Sequence, residues 1–195
     1  MFLYAAAIGL IIGKLRKGKL EKIGYLTFQF PLLILTGILL QFFVFILNIG
    51  LSDLGSSIND GILITSYILI IAGILSNRSI KFMYLFFIGT LYNFIMLVLN
   101  GVKVGITEVT AKNAFSPEIV ELIKTGNVRY FTIIPESRFY MGAFLSFEGI
   151  FIYPIVLTIG DIILFIATVI FFQYAMTDKN IRKGSNVRYS KQLFR

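Results

Sequence analysis

Long apolar stretches separated by short charged segments constrain this chain more than any other feature. The five stretches cover residues 1–13, 24–49, 61–75, 82–99 and 153–176. A helix needs about 20 apolar residues to cross roughly 30 Å of hydrocarbon, and several of these stretches approach that length. With 57% hydrophobic and 14% charged residues, the chain is too apolar for a soluble protein. The sequence therefore predicts an all-α integral membrane protein, with about five transmembrane helices in one membrane domain over residues 1–195.

The distribution of Lys and Arg predicts how these helices are oriented. Basic residues are concentrated after the first stretch, after the third stretch and in the tail, residues 177–195. Segments rich in Lys and Arg stay on the cytoplasmic side of a membrane. We therefore expect a multi-pass protein of the bacterial cytoplasmic membrane, with its N-terminus outside and its C-terminus in the cytoplasm.

The net charge of +8 has two readings, nucleic acid binding and lipid binding. The basic residues lie in short runs beside apolar stretches, so we expect anionic lipid at the cytoplasmic face as the partner and no nucleic acid. For the tail, binding to a cytoplasmic partner is the alternative to a lipid anchor.

The number of crossings depends on residues 139–176, which are long enough for two helices. We prefer one crossing preceded by an interfacial or re-entrant piece at residues 139–152, because Glu148 and Pro154 separate that piece from the lipid core. A sixth crossing is the alternative, and it would place the basic tail outside.

The segment over residues 100–152 is the largest part outside the apolar stretches. It contains an alternating apolar segment, a helix start at a Ser-Pro pair and a β-branched segment, at residues 102–106, 116–124 and 128–134. These patterns predict a partly structured extracytoplasmic loop that folds onto the outer face as a cap. A plain linker is the alternative.

Polar residues inside the apolar stretches are candidates for ligand binding. A carboxylate within a membrane costs about 2.5 to 3.5 kcal/mol, so Asp161 is expected to face protein or water. Counted along helices from their outer ends, the polar residues at a similar depth are Gln41, Asn93, Ser66 and Tyr67. These residues predict a small polar cavity beneath the outer loop, and hydrogen bonds between neighbouring helices are the alternative.

The residue types that are absent exclude several classes of chemistry. The chain has neither Cys nor His, so thiolate catalysis, disulfides and histidine metal sites are excluded, and we expect no metal or cofactor. An intramembrane aspartyl hydrolase would need a second carboxylate at the depth of Asp161, whereas Asp60 and Glu148 lie nearer the surface. We therefore expect no catalytic residues, and an intramembrane aspartyl hydrolase is the least favoured of the alternatives.

Two functions follow from these expectations. The first is binding or passing a small solute or lipid group at the polar layer, alone or as a transporter subunit. The second is a structural or accessory subunit of a membrane complex. Ala5, Gly9 and Gly13 form a smooth face on the first helix, for internal packing or for docking to a separate membrane protein.

Several short motifs recur in an order that suggests a family. They are Gly9 and Gly13, the run Gly18-Lys19-Leu20, Gln41, Asn100-Gly101, and Ile159-Gly160-Asp161. In order and spacing they resemble the bacterial membrane protein family called domain of unknown function 5317, over most of the chain. The resemblance implies a common fold and a membrane location, and it implies no activity.

The outer loop departs from the family pattern. The family's loop begins Asn-Gly-Gly and continues to Met-Pro-Val, whereas residues 100–106 read NGVKVGI here. The family's later His is also missing near Arg129. The loop positions that we expect to contribute to binding are Asn100, Gly101, Arg129, Arg138 and Glu148.

Overall fold

Five long or apolar helices packed in a row form the larger part of the fold. The computed structural model describes residues 1–49, 56–128, 130–147 and 155–181. Within these ranges the helices are α1 (Phe2–Leu15), α2 (Pro31–Ile49), α3 (Ser56–Ser76), α4 (Met83–Leu99), α5 (Glu108–Ala114), α6 (Pro117–Lys124) and α7 (Ile159–Thr177). The row runs in the spatial order α2, α3, α4, α7, α1. The first and the last of the described helices therefore pack side by side.

Small residues allow α1 and α7 to approach closely. Ala5, Gly9 and Gly13 are buried. A Cβ atom on Gly9 would lie 2.9 Å from the carbonyl oxygen of Val169, so only glycine permits this distance between the helices. The smooth face of α1 is therefore covered by α7.

The outward faces of the row are also apolar. Leu3, Leu15 and Leu32 are more than two thirds exposed. Among the described residues, two segments are long and apolar enough to cross a membrane, Ile58–Ser76 and Ile159–Thr177, each with a mean hydropathy of 1.9. Only 28% of either segment is buried inside the protein. These two helices indicate membrane association. The other apolar segments, Phe2–Leu15, Pro31–Ile46 and Met83–Leu99, are shorter than this criterion requires.

The described residues between α4 and α7 form an α/β cap, which adds strands to the mostly helical fold that the sequence predicts. The described strands are β1 (Val104–Thr107), β2 (Phe131–Ile134), β3 (Gly142–Ala143), β4 (Leu145–Phe147) and β5 (Ile155–Leu157). Strands β2, β1 and β3 form a parallel sheet in that order, and β4 pairs antiparallel with β5. Helices α5 and α6 connect β1 to β2 because parallel neighbours require a crossover. The partly structured loop is thus confirmed, with strands in it.

The cap has its own apolar core and its own helix starts. Ile106, Val120 and Phe131 are buried together between the sheet and the two short helices. The Thr107 hydroxyl accepts a hydrogen bond from the Thr110 backbone N–H at the start of α5, and Pro117 takes the first position of α6. These local signals and the shared core make the cap more than a linker.

An acidic residue on α5 ties the two short helices of the cap together. The Glu108 carboxylate lies 2.8 Å from the ammonium groups of both Lys112 and Lys124. Hydrogen bonds from these two cations lower the pKa of Glu108 to about 2. Glu108 therefore remains charged, and its pairing with Lys124 joins α5 to α6.

Hydrogen bonds seat the cap on one end of the helix row. The Asn100 side-chain amide donates to the Met141 carbonyl at 2.7 Å, and the Tyr92 hydroxyl donates to the Tyr140 carbonyl at 2.5 Å. Between α4 and β1 the chain turns through Gly101 and Val102, both with positive φ. Because Val102 belongs to this turn, the first strand begins at Val104, two residues later than the alternating pattern predicts.

Several boundaries differ from the sequence-based expectations. A 3-10 helix (Leu20–Tyr25) precedes α2, which begins at Pro31 instead of residue 24, since proline favours the first turn of a helix. The described part of the predicted interfacial piece, residues 139–147, contains the end of a 3-10 helix (Glu136–Met141) and strands β3 and β4. Within the described part of residues 139–176, α7 is the one long helix. The second long helix that a sixth crossing would require is not found in that part.

Candidate functional site

A cavity of about 720 Å³ lies between the helix row and the cap. Side chains from α2, α3, α4 and α7 form its walls, and residues of the cap form one end. This volume falls within the range of about 300 to 1,000 Å³ that is usual for small-molecule sites. The cavity is therefore large enough for a ligand of considerable size.

The end of the cavity far from the cap is apolar. Aromatic rings converge there: the Phe171 ring centroid lies 6.1 Å from that of Phe28 and 5.9 Å from that of Phe86. Ile34 and Ile74 complete this end of the lining. The surface suits a hydrocarbon chain, because its aromatic and aliphatic side chains offer dispersion contacts.

The end nearer the cap is polar, and three residues there form a closed network. The Asn93 amide donates to Asp161 Oδ1 at 2.9 Å, and the Thr158 hydroxyl donates to Asn93 Oδ1 at 2.7 Å. The Thr158 backbone N–H donates to Asp161 Oδ2 at 3.1 Å, and the Asp161 backbone N–H donates to the Thr158 hydroxyl at 3.0 Å. This capping box starts α7 and joins it to α4.

A glycine beside this network allows α4 and α7 to meet. A Cβ atom on Gly160 would overlap the Asn93 side chain and lie 2.8 Å from the Gly89 carbonyl oxygen. The absence of a side chain at this position brings Asn93 within hydrogen-bond distance of Thr158 and Asp161. The sequence Thr158 to Asp161 therefore builds the junction between cap and helix row.

Other polar groups on the cavity wall have no hydrogen-bond partner among the described residues. They belong to four residues of the lining, Tyr67, Tyr130, Gln41 and Lys103. Tyr67 and Tyr130 lie close enough to Asp161 to be influenced by its charge. Unlike the Asn93 network, these groups are free to bind a ligand.

The predicted site residues fall into distinct groups. Gln41, Tyr67, Asn93, Asn100 and Asp161 line the cavity. Ser66 does not, because its hydroxyl donates to the Leu63 carbonyl and its backbone packs against Gly37 of α2. Gly101 and Arg138 are exposed, and Arg129 and Glu148 lie outside the described residues, as do residues 182–195 of the basic tail.

The depth assigned to Asp161 from the sequence is wrong. The predicted helix begins at residue 153, which places Asp161 well inside it, whereas α7 begins at Ile159 and Asp161 lies in its first turn. Strand β5 occupies residues 155–157, since those residues pair with β4. The hydrogen bonds described for the Asp161 carboxylate come from Asn93 and Thr158, and neither is the second acid that an aspartyl hydrolase requires.

The sequence-based predictions do not include three residues of the site, Thr158, Lys103 and Tyr130. Thr158 could have been found, because a Thr three residues before an Asp is a recognisable capping pattern. Lys103 and Tyr130 reach the cavity only because the cap folds back over the row, and no local pattern reveals that contact.

Comparison with known proteins identifies a family. No curated protein and no solved structure matches the chain. A family model described as a family of unknown function (DUF5317) matches residues 25–173, which include α2 to α4, the cap and most of α7. The match contains Gln41, Asn100-Gly101 and Ile159-Gly160-Asp161, whereas Gly9, Gly13 and residues 18–20 precede it. The chain therefore belongs to the DUF5317 family, as the resemblance of its motifs predicts.

Proposed function

We propose that this protein is a multi-span membrane protein that binds a lipid-like amphipathic molecule in the cavity between its helix row and its cap. The observation that carries the proposal is the division of one cavity into an aromatic and aliphatic end and a polar end. A hydrocarbon chain fills the first, and a polar head group lies at the second, beneath the cap.

The exposed apolar faces of the helix row support a membrane location. Soluble proteins seldom expose apolar patches of this extent, whereas lipid contacts require them. We propose five crossings, in which α1, α2 and α4 span a locally thinned bilayer or use flanking Lys and Arg side chains to reach the headgroups. The cap then lies outside and the basic tail lies in the cytoplasm.

The arrangement of α2 and α7 supports entry of the ligand from the bilayer. Both helices contribute side chains to the cavity, yet they are not neighbours in the row. An acyl or isoprenoid chain enters sideways between them, without crossing the cap. Docking of another membrane protein on Ala5, Gly9 and Gly13 is not part of this proposal, because α7 occupies that face of α1.

The test uses two residues that are adjacent on α2. Ile38 lines the cavity, whereas Leu39 does not, and both are about half exposed. Ile38→Trp places an indole in the chain-binding space and is expected to weaken binding of radiolabelled oleyl alcohol and oleyl phosphate by tenfold or more. Leu39→Trp is the matched control, with unchanged affinity. A scintillation proximity assay on purified protein measures both.

Two results would contradict the proposal. The first is that neither oleyl compound binds the unmodified protein above background. The second is that Ile38→Trp binds both compounds as tightly as Leu39→Trp does.

A further inference from the structure

We propose that the head group of the bound molecule carries a phosphate, which Lys103, Tyr67 and Tyr130 contact at the cap end of the cavity. This inference rests on the proposed function and names the chemistry of its ligand. It is based on the groups of the polar end that have partners and on those that lack them.

Among the described residues, two charged side chains line the cavity, Asp161 and Lys103. The Asp161 carboxylate accepts hydrogen bonds from Asn93 and from the Thr158 backbone, and it lies at the N-terminus of α7, where the helix dipole stabilises a negative charge. Lys103 has neither an ion pair nor a hydrogen bond among the described residues. The protein itself thus supplies hydrogen-bond donors to the Asp161 carboxylate, whereas no described residue pairs with Lys103.

The Lys103 ammonium differs in this respect from the lysines elsewhere in the cap. Lys112 and Lys124 lie on its outer surface, and each is 2.8 Å from Glu108. Lys103 is half-buried and lines the cavity. An anionic ligand in the cavity would supply the charge partner that no described residue gives to Lys103.

Two tyrosines supply hydrogen-bond donors to the cavity lining. Tyr67 and Tyr130 both line the cavity, and neither hydroxyl has a hydrogen-bond partner in the described ranges. Burial and the nearby Asp161 carboxylate raise the pKa of Tyr130 to about 12, so its hydroxyl remains a donor at neutral pH. Two hydroxyls and an ammonium match the oxygens of a phosphate, which are strong acceptors.

Other head groups fit these residues less well. An ammonium-bearing head group would be repelled by the Lys103 charge. Asp161 repels a phosphate in the same way, but its carboxylate already accepts hydrogen bonds from Asn93 and Thr158, whereas no described residue pairs with Lys103. An uncharged hydroxyl or carbonyl could accept from the tyrosines but would leave Lys103 uncompensated. A phosphate satisfies the cation and both hydroxyls together.

The experiment compares two ligands with the same chain, oleyl phosphate and oleyl alcohol. We expect the unmodified protein to bind oleyl phosphate at least tenfold more tightly. Lys103→Gln is expected to remove most of that preference, through loss of affinity for oleyl phosphate and not for oleyl alcohol. Lys112→Gln, on the outer surface of the cap, is the matched control and keeps the preference.

Tyr130→Phe provides a second variant in case Lys103→Gln fails to fold. It removes one hydroxyl and is expected to lower affinity for oleyl phosphate about fivefold to tenfold, while Tyr84→Phe, on the exposed face of α4, has no effect. Phosphatidic acid and farnesyl phosphate, added as competitors, then distinguish a phospholipid from an isoprenyl phosphate as the source of the phosphate.

The outcomes separate this inference from the proposed function. If Ile38→Trp weakens both oleyl compounds while the protein binds them equally and Lys103→Gln changes neither affinity, the phosphate inference is wrong and the proposed function stands. If neither compound binds, both are overturned. Loss of the phosphate preference in Lys103→Gln, with Lys112→Gln unchanged, supports the inference.

Discussion

At the residue scale, the role of Asp161 depends on where its helix begins. Within a long apolar stretch, a lone carboxylate suggests a functional group in the lipid core. In the folded chain the same carboxylate caps the first turn of α7 and accepts a hydrogen bond from Asn93 of α4. It is better described as a positioning residue, because it holds the polar end of the cavity in place.

This role predicts a stability effect. Asp161→Ala removes the capping box and leaves the Asn93 amide without its acceptor, so we expect a loss of about 1 to 3 kcal/mol in the free energy of unfolding. Asp161→Asn retains an acceptor and is expected to lose less. Thermal unfolding in detergent measures both variants. Asn113→Ala, at an exposed position of α5, is the control, and an Asp161→Ala protein as stable as this control would contradict the assignment.

At the element scale, patterns in the sequence predict which segments form helices or strands, but they do not predict where each helix or strand begins. The alternating and β-branched segments of the loop correspond to β1 and β2, and the Ser-Pro pair corresponds to the start of α6. The start of α7 is different, because residues 155–157 are as apolar as the helix that follows. Pairing with β4 makes them a strand, and that is a tertiary contact.

Two glycines in equivalent secondary structure give a test of the junction between α4 and α7. A Cβ atom on Gly160 would overlap Asn93, whereas nothing lies within 4 Å of a Cβ atom on Gly61 in α3. Gly160→Ala is expected to cost about 1 to 3 kcal/mol through overpacking, and Gly61→Ala to gain up to about 1 kcal/mol in helix propensity. Unfolding curves of the two variants, recorded side by side, decide this. Equal effects would mean that the close contact does not hold in solution.

At the scale of the whole molecule, the order of the helices creates the cavity. In the row, α3 and α4 separate α2 from α7, and all four helices contribute side chains to the cavity. The cap covers one end of this cavity. The exposed apolar surface of the row and the charged outer surface of the cap require different surroundings. An orientation with the cap outside the membrane satisfies both.

The orientation can be tested directly because the chain lacks Cys. Single cysteines are introduced at Lys112 in the cap, at Ser79 between α3 and α4, and at Lys191 in the tail, and intact cells are treated with a membrane-impermeant reagent. We expect labelling at Lys112 only. Labelling at Lys191 would place the C-terminus outside, and labelling at Ser79 without Lys112 would invert the protein.

The sequence by itself determined the apolar helices, the charge asymmetry, the structured loop and the family. Each of these depends on composition, on local periodicity or on short motifs, which are visible in the sequence without knowledge of the fold. The tertiary structure decided that Asp161 and Asn93 close a network with Thr158, that Ser66 packs against α2, and that Lys103 and Tyr130 reach the cavity. The physical reason is that a polar group's role is set by its partners, and these partners lie tens of residues away along the chain.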